Sequence, residues 1–417
     1  MKHRLLPCLL AAALGGWMGA SSSASAQTPA AWSPEPALLA SPAWRAALAG
    51  RQEQGALAAQ TRAGNGEWTV SLAAAHRREP LLQPGSNQDL ELSLQRPWRL
   101  PGKAAAADLA GAAREDYGRA RLALAWREQA ERLLAQWAAW RRETEGQALL
   151  QAQRDSVAQE VAALARRQQL GDAAPAELLQ AEAALAGAES RLAQGRSAAD
   201  EQQRRLQTLL GDAPLPPTTW QAPAAHDINT AQLEEQDAAL QLAEAEARLS
   251  RRLAEQERRE QRPDPVLAVR ALRGRSGEER VLGVSLSLPI GGEGRSQAGR
   301  AAAARAAAAE AMLDQARLDA QLRAQQLLRQ LELAQQQLSL QARHAEALQQ
   351  HADKLARAYA LGEAQLGDRW AARRQAQEAA LALAQARIER QLLEGRIALA
   401  SSRLWPLSGH PVTRSVP

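Results

Sequence analysis

His344 and His351 are the most closely spaced histidines in the chain, and metal ligation is the chemistry they would offer. Seven residues place them on one helix face about two turns apart. That is too far for one ion, since helical metal pairs use i and i+4. They are expected at the surface, and His76, His226 and His410 stand alone. GGEGRS, residues 291–296, opens a helical stretch as a phosphate loop would, yet it lacks the Lys-Ser/Thr pair of a Walker A sequence. A strand-to-helix turn is the expectation there. No candidate nucleophile stands beside a base, and no carboxylate pair is set by spacing. The expectation is no enzyme, no cofactor and no metal centre. What does recur is a turn. Leu170, Gly171 and Asp172 interrupt one long helical stretch, and Leu361, Gly362 and Glu363 interrupt another. Glycine at a helix end supplies a left-handed residue, and an acid beside the next helix start meets its dipole.

The elements around these turns are unusually long. Residues 103–168 and 295–360 each run for 66 residues without proline, or about 100 Å at ~1.5 Å per residue. After the first turn a seven-residue repeat continues. Leu178, Leu185, Leu192, Ala199 and Leu206 mark one seam position; Ala181, Ala188, Gly195 and Leu209 mark another. Apolar residues at that spacing face a partner helix. Four shorter segments alternate with period two, as strands with one apolar face do. They are EWTVSLAA, DLELSLQ, LAVRAL and VLGVSLSLPI, and turn residues join them into two hairpins. The order hairpin, turn, long helix, Leu-Gly-acid break, returning helix occurs twice. Pro97 aligns with Pro289 at an offset of 192, and Gly171 with Gly362 at 191. The chain is therefore an internal duplication. A Pro-rich connector at 211–230 joins the halves. A helix is expected from Ala231 to about Glu260, and a comparable one from about Pro42 to Arg62.

Composition agrees. Aromatic residues make up 3% and Phe is absent, the profile of long helices and coiled coils. A formal charge of +5, with no basic stripe interleaved with aromatics, does not argue for nucleic acid. Lys2 and Arg4, an apolar run, and Ala24-Ser25-Ala26 read as a signal peptide over 1–26. Cys8, the only cysteine, lies inside it; no lipid anchor and no disulfide are expected. No later stretch approaches the ~20 apolar residues of a membrane helix, which leaves open a soluble protein or a β-barrel. Four strands have two open edges and cannot enclose a lumen, for which about eight are needed. In a bilayer unpaired edges are prohibitive. The hairpins then need hairpins from other copies, with the Leu/Val face towards lipid and Thr69, Ser71, Ser285 and Ser287 towards water.

The signal peptide, the two hairpins, the ~100 Å helices and the duplicated Leu-Gly-acid turn together resemble the TolC-type outer-membrane efflux proteins. The resemblance covers nearly the whole mature chain. It implies a mixed α/β membrane protein, mostly α. Two β-hairpins per copy would contribute to a trimeric 12-stranded barrel, continued by a long α-helical coiled-coil tunnel. LQRPWRLPGKAAA, from Leu94, is similar to the heavy-metal-efflux branch, whose members carry a Leu-Pro-Gly-Lys turn at strand exit. The resemblance further implies a passive exit duct in the outer membrane of a Gram-negative bacterium. Its partners would be two further copies, outer-membrane lipid, a periplasmic adaptor and an inner-membrane pump of RND type. Metal cations or small toxic compounds would be the cargo. Leu170, Gly171, Asp172, Leu361, Gly362 and Glu363 would meet the adaptor. Asp368 would ring the pore as a gate, against the plainer reading of a solvated helix acid, and Trp370 would pack in a seam.

The segments expected are a signal peptide (1–26), an N-terminal helical part (27–65) and a first hairpin (66–97). A first helical hairpin (98–211) follows, then a connector with its helix (212–262). A second hairpin (263–290), a second helical hairpin (291–405) and an unstructured tail (406–417) complete the chain. The rival readings are a periplasmic adaptor and a soluble coiled-coil structural protein.

Overall fold

Eight helices and four strands are seen in the computed structural model, which describes residues 32–64, 66–78, 86–217, 220–223, 228–274 and 277–407. The proposed signal peptide and the end of the tail, 408–417, lie outside them. In chain order the elements are α1 (Glu35–Ala40), α2 (Pro42–Ala63), β1 (Thr69–Arg78), β2 (Ser86–Pro97), α3 (Pro101–Gln169) and α4 (Pro175–Leu210). They continue with α5 (Thr230–Glu235), α6 (Ala238–Glu260), β3 (Val266–Gly274), β4 (Glu279–Ser287), α7 (Glu293–Ala360) and α8 (Leu366–Ala400).

Helices α3 and α7 span 69 and 68 residues. Ala, Leu, Arg, Gln and Glu, all strong helix formers, fill both. Pro101 opens α3 at its first position, where the missing N–H costs nothing. Each long helix returns as a shorter antiparallel partner, α3 with α4 and α7 with α8. Small residues let the second pair approach closely: Ala352 of α7 packs on Ala372 and Ala376 of α8. Among the described residues no helix is long and apolar enough to cross a membrane.

The strands form one antiparallel sheet in the order β1-β2-β3-β4. The hairpins of the two repeats therefore pair with each other through β2 and β3, with Leu94 opposite Val269. At one end of the sheet both long helices depart, and both are fastened to the end of α6. The Lys103 ammonium, almost fully buried, lies 2.9 Å from the carboxylates of Glu260 and Asp264. Asp264 also accepts from the amide of Leu100, the residue before α3. Arg295, the repeat equivalent of Lys103 at offset 192, donates to the Glu260 carbonyl at 2.8 Å. The Leu-Pro-Gly-Lys turn and GGEGRS are thus matching strand-to-helix joints.

The main core sits midway along α3. Trp44, Trp126, Trp137 and Trp140 are buried there, with Trp32, Trp220 and Trp405 packed against them. Trp137 meets Trp220 edge to face at 4.7 Å, and Trp220 stacks on Trp405 at 5.7 Å. Edge-on and offset contacts suit the ring quadrupole.

Five expectations are corrected. The single helix from Ala231 to Glu260 is two, because Asp237 leaves the helix and caps α6 through Leu240 N. Before the expected helix at Pro42 lies a further short one, α1. Leu209 faces solvent and Leu210 takes the seam, since 3.6 residues per turn drift against a seven-residue count. Leu407, within the expected unstructured tail, packs against the core beside Trp405, whose carbonyl accepts from Trp126 Nε1. The fifth concerns the acid at each hairpin turn, which does not cap the returning helix.

Candidate functional site: the hairpin tips and the two-faced sheet

Both tips close in the same way, atom for atom. Gly171 has φ +86° and Gly362 φ +81°, a region that costs glycine nothing. The Gly171 and Gly362 amides donate to Gln168 O and Tyr359 O, each at 3.0 Å. The next amides, Asp172 and Glu363, reach back five residues to Arg167 O and Ala358 O, each at 2.8 Å. That long backward bond satisfies a carbonyl the helix end would leave bare. Leu170 and Leu361 are 76% and 75% exposed. Two large apolar side chains are thus held in water at matching turns.

Asp172 and Glu363 do not cap the returning helices as expected. The capping residues are Ala174 and Gln365, and neither makes a side-chain bond. The acids facing the helix dipoles are Glu177 and Asp368, one in each first turn and 191 residues apart. The extra residues between Asp172 and the start of α4 put it beyond reach of the amides. Asp368 is exposed and forms no ion pair among the described residues. Its charge at a helix start is favourable whatever else it does.

The two tips pack together. Leu164 of α3, Ala181 of α4 and Leu366 of α8 form a buried cluster that includes Tyr359 and Trp370 at its margin, so Trp370 sits in a seam. Across this contact Glu160 of α3 accepts from Arg369 of α8 at 2.7 Å and pairs with Arg373. The Arg369 guanidinium lies over the Tyr359 ring, 5.2 Å from its centre. None of these pairings follows from local spacing, since Glu160 and Arg369 are 209 residues apart. The only available signal was an acid and two arginines near the ends of equivalent arms.

At the other end the sheet has two unlike faces. The register aligns Val70, Leu94, Val269 and Val284 in one row, and Leu72, Leu92, Ala271 and Leu282 in the next. All but Ala271 are large apolar side chains lying in solvent. Opposite stand Thr69, Gln95, Ala268 and Ser285, then Ser71, Ser93, Arg270 and Gly283. Trp68 and Trp98 flank the first hairpin where it meets the helices, both exposed, with Arg96 5.1 Å over the Trp68 ring. Strands β1 and β4 each keep one unpaired edge.

Between sheet and tips, a cavity of about 400 Å³ opens among α3, α6, α7 and α8. Its charges largely satisfy one another. Arg323 donates twice to Asp237 at 3.0 and 3.1 Å, Arg396 lies 3.6 Å from Glu131, and Arg127 donates to Ala400 O at 3.0 Å. Burial lowers the Arg127 pKa, opposed by Asp237 and Glu131. His344 and His351 are exposed on α7, and no group of three metal-ligating side chains occurs among the described residues.

Neither a family model nor a characterised protein sequence matches the chain. Solved structures do. The outer membrane protein VceC of Vibrio cholerae matches with a TM-score of 0.72 at 19% identity, over 88% of this chain and 94% of VceC. The open state of the outer membrane channel MtrE of Neisseria gonorrhoeae matches at 0.71 and 15% identity, over 89% of each chain. CusC, described for its folding and transmembrane channel formation, matches at 0.67 and 16%, over 88% of this chain and 90% of CusC. The chain has the fold these outer-membrane channel proteins share: a four-stranded sheet carried on two long helical hairpins.

Proposed function

We propose that this chain is one third of a passive exit duct in the outer membrane of a Gram-negative bacterium, a TolC-type protein without enzymatic activity. The observation that carries the reading is the sheet. Its solvated Leu/Val face has no partner in the protomer, its other face is polar and small, and both edges are open. A sheet of this kind is stable in a bilayer only when closed. Three copies supply twelve strands, enough to surround water. The polar face, with Ser71, Ser93, Arg270 and Ser285, then lines the lumen. Helices α3 and α7, each ~100 Å long, continue the passage through the periplasm.

The tips Leu170-Gly171-Asp172 and Leu361-Gly362-Glu363 meet a periplasmic adaptor. Through it they reach an inner-membrane pump of RND type, which supplies the energy. Asp368 repeats as three carboxylates about the axis and favours cations at the entrance. The cargo is metal cations or small toxic compounds.

Fractionation and conductance test the duct. The full chain stays with outer membranes after a salt wash, runs as a trimer and opens steps of current in planar bilayers. Release by the salt wash, as a soluble coiled coil or an unanchored adaptor would show, refutes the reading. Asp368→Asn lowers the cation preference of the current; an unchanged preference removes Asp368 from the gate. Gly171→Trp or Gly362→Trp leaves the trimer folded and abolishes resistance. Full resistance at normal protein levels removes the tips from adaptor contact.

A further inference from the structure

Arg273 of β3 and Arg280 of β4 are direct cross-strand partners. They continue the row of Ala74 and Leu90 on the apolar face, one step past Leu72, Leu92, Ala271 and Leu282. Like charges placed directly opposite destabilise a sheet. Both side chains are exposed, and neither is paired with an acid among the described residues. The nearby acids Asp89 and Glu279 alternate to the other face, where both approach Gly274. Room is made for one of the arginines. Gly277 sits in the turn at φ +110°, and a Cβ there would stand 2.6 Å from an Arg273 guanidinium nitrogen. Beside the pair runs a groove of about 430 Å³ lined by Leu90, Leu92, Ala271 and Leu282.

Position supplies the rest. The pair lies at the end of the sheet remote from the helices. From Leu288 to Arg280 is eight residues, about 26 Å along the strand at ~3.3 Å per residue. At a tilt of about 40° this spans roughly 20 Å of bilayer, most of the apolar band of such barrels. Two arginines thus stand where the apolar band ends on the outer side, at the end of a groove lined by leucines. Guanidinium groups bind phosphate oxygens bidentately, and a phosphate between two of them removes their repulsion.

We infer that Arg273 and Arg280 clamp the phosphate headgroup of an outer-leaflet lipid of lipid A type, whose acyl chain lies in the adjoining groove. The inference rests on the outer-membrane reading above. The detergent-solubilised full chain is incubated with diphosphoryl lipid A, washed, and its retained lipid counted by native mass spectrometry. The double variant Arg273→Gln/Arg280→Gln retains roughly thirtyfold less, at roughly fivefold per arginine near a membrane surface. Arg96→Gln, at the opposite rim, retains as much as the parent. Lipid A stripped of its phosphates is held no better by the parent than by the double variant, and excess inorganic phosphate does not displace the lipid. Undiminished retention by the double variant overturns the clamp. So does an equal loss in Arg96→Gln, which would reveal general charge attraction, or full displacement by inorganic phosphate, which would reveal a simple anion site. Fractionation of the parent separates the two readings: a chain that stays in outer membranes while its double variant keeps lipid A leaves the duct standing and removes the clamp.

Discussion

Helices α3 and α7 occupy equivalent places in the two repeats, with nearly equal lengths and similar composition, yet they lead different lives. α3 lies against α2, α4, α6 and α8, and it buries Trp126, Trp137 and Trp140 at its middle. α7 lies against α5, α6 and α8, contains no tryptophan, and buries mostly alanine. Its remaining face carries Met312, Leu318, Leu322, Leu333 and Leu340, all 54–65% exposed. At 100° per residue these five fall within one stripe about 120° wide. A duplicated backbone has been divided into a spine buried within the protomer and a face the protomer leaves uncovered. At the tips, by contrast, the two repeats keep the same turn backbone.

The largest test of that contrast is Trp137→Ala. It removes a fully buried ring from the core of α3 and is expected to cost about 3–5 kcal/mol. Its repeat equivalent Arg329→Ala on α7, an exposed position, is expected to stay within about 0.5 kcal/mol. Denaturant midpoints of the two variants measure both, and equal shifts would erase the distinction between the helices.

Next comes the stripe on α7. Leu322→Asp with Leu333→Asp leaves the helix content intact and prevents trimer formation, since each leucine covered by a neighbour contributes about 1.5–3 kcal/mol. Light scattering after gel filtration decides it; an undisturbed trimer shows that another face makes the contact.

A smaller and equal effect is expected at the tips. Gly171→Ala and Gly362→Ala each force a left-handed alanine, at about 1–2 kcal/mol. Nothing lies within 4 Å of a Cβ at either site, so the cost is conformational alone and should match between repeats. Hydrogen exchange of the tip amides reports it, and unequal opening would mean that the tips differ after all.

The smallest effect concerns Arg62 and Glu115, which join α2 to α3 at 2.6 Å. The hydrogen bond from Arg62 holds the Glu115 carboxyl below its ordinary value of 4.5, against a smaller opposing effect of burial. A lowered folded pKa stabilises the fold above 4.5 and loses that contribution as pH falls through the lowered value. The stability gap between the parent and Glu115→Gln should close in that acid window. A gap that widens on acidification would reverse the assignment. Both partners are well solvated, so the effect is small.

Much of the architecture was legible because it is written in local periods. Leu90, Leu92 and Leu94 alternate with polar residues whatever the strand pairs with, and their common face follows from a period of two. The Gly171 and Gly362 turns were readable because a left-handed helix end favours one residue type and the chain states it twice. The reading of the acids beside them failed. Whether Asp172 reaches an amide depends on how many residues separate it from the next helix, and composition does not express that distance. The Asp237 break was missed for a similar reason. A polar residue inside a helical pattern looks ordinary until its carboxylate is seen capping Leu240 and holding Arg323.

The duplication, the two ~100 Å arms, their glycine turns and the two-faced strands all follow from the chemistry of residues close in the chain. Long-range packing selects which of two similar helices becomes the buried spine, and how β2 of one repeat pairs with β3 of the other. It alone gathered seven tryptophans from five segments at the middle of α3, joined Glu160 to Arg369 and Arg373, and set Arg273 against Arg280. Those outcomes depend on contacts between residues tens to hundreds of positions apart. The period of an apolar stripe says that it will be covered, and only the assembled fold says by what.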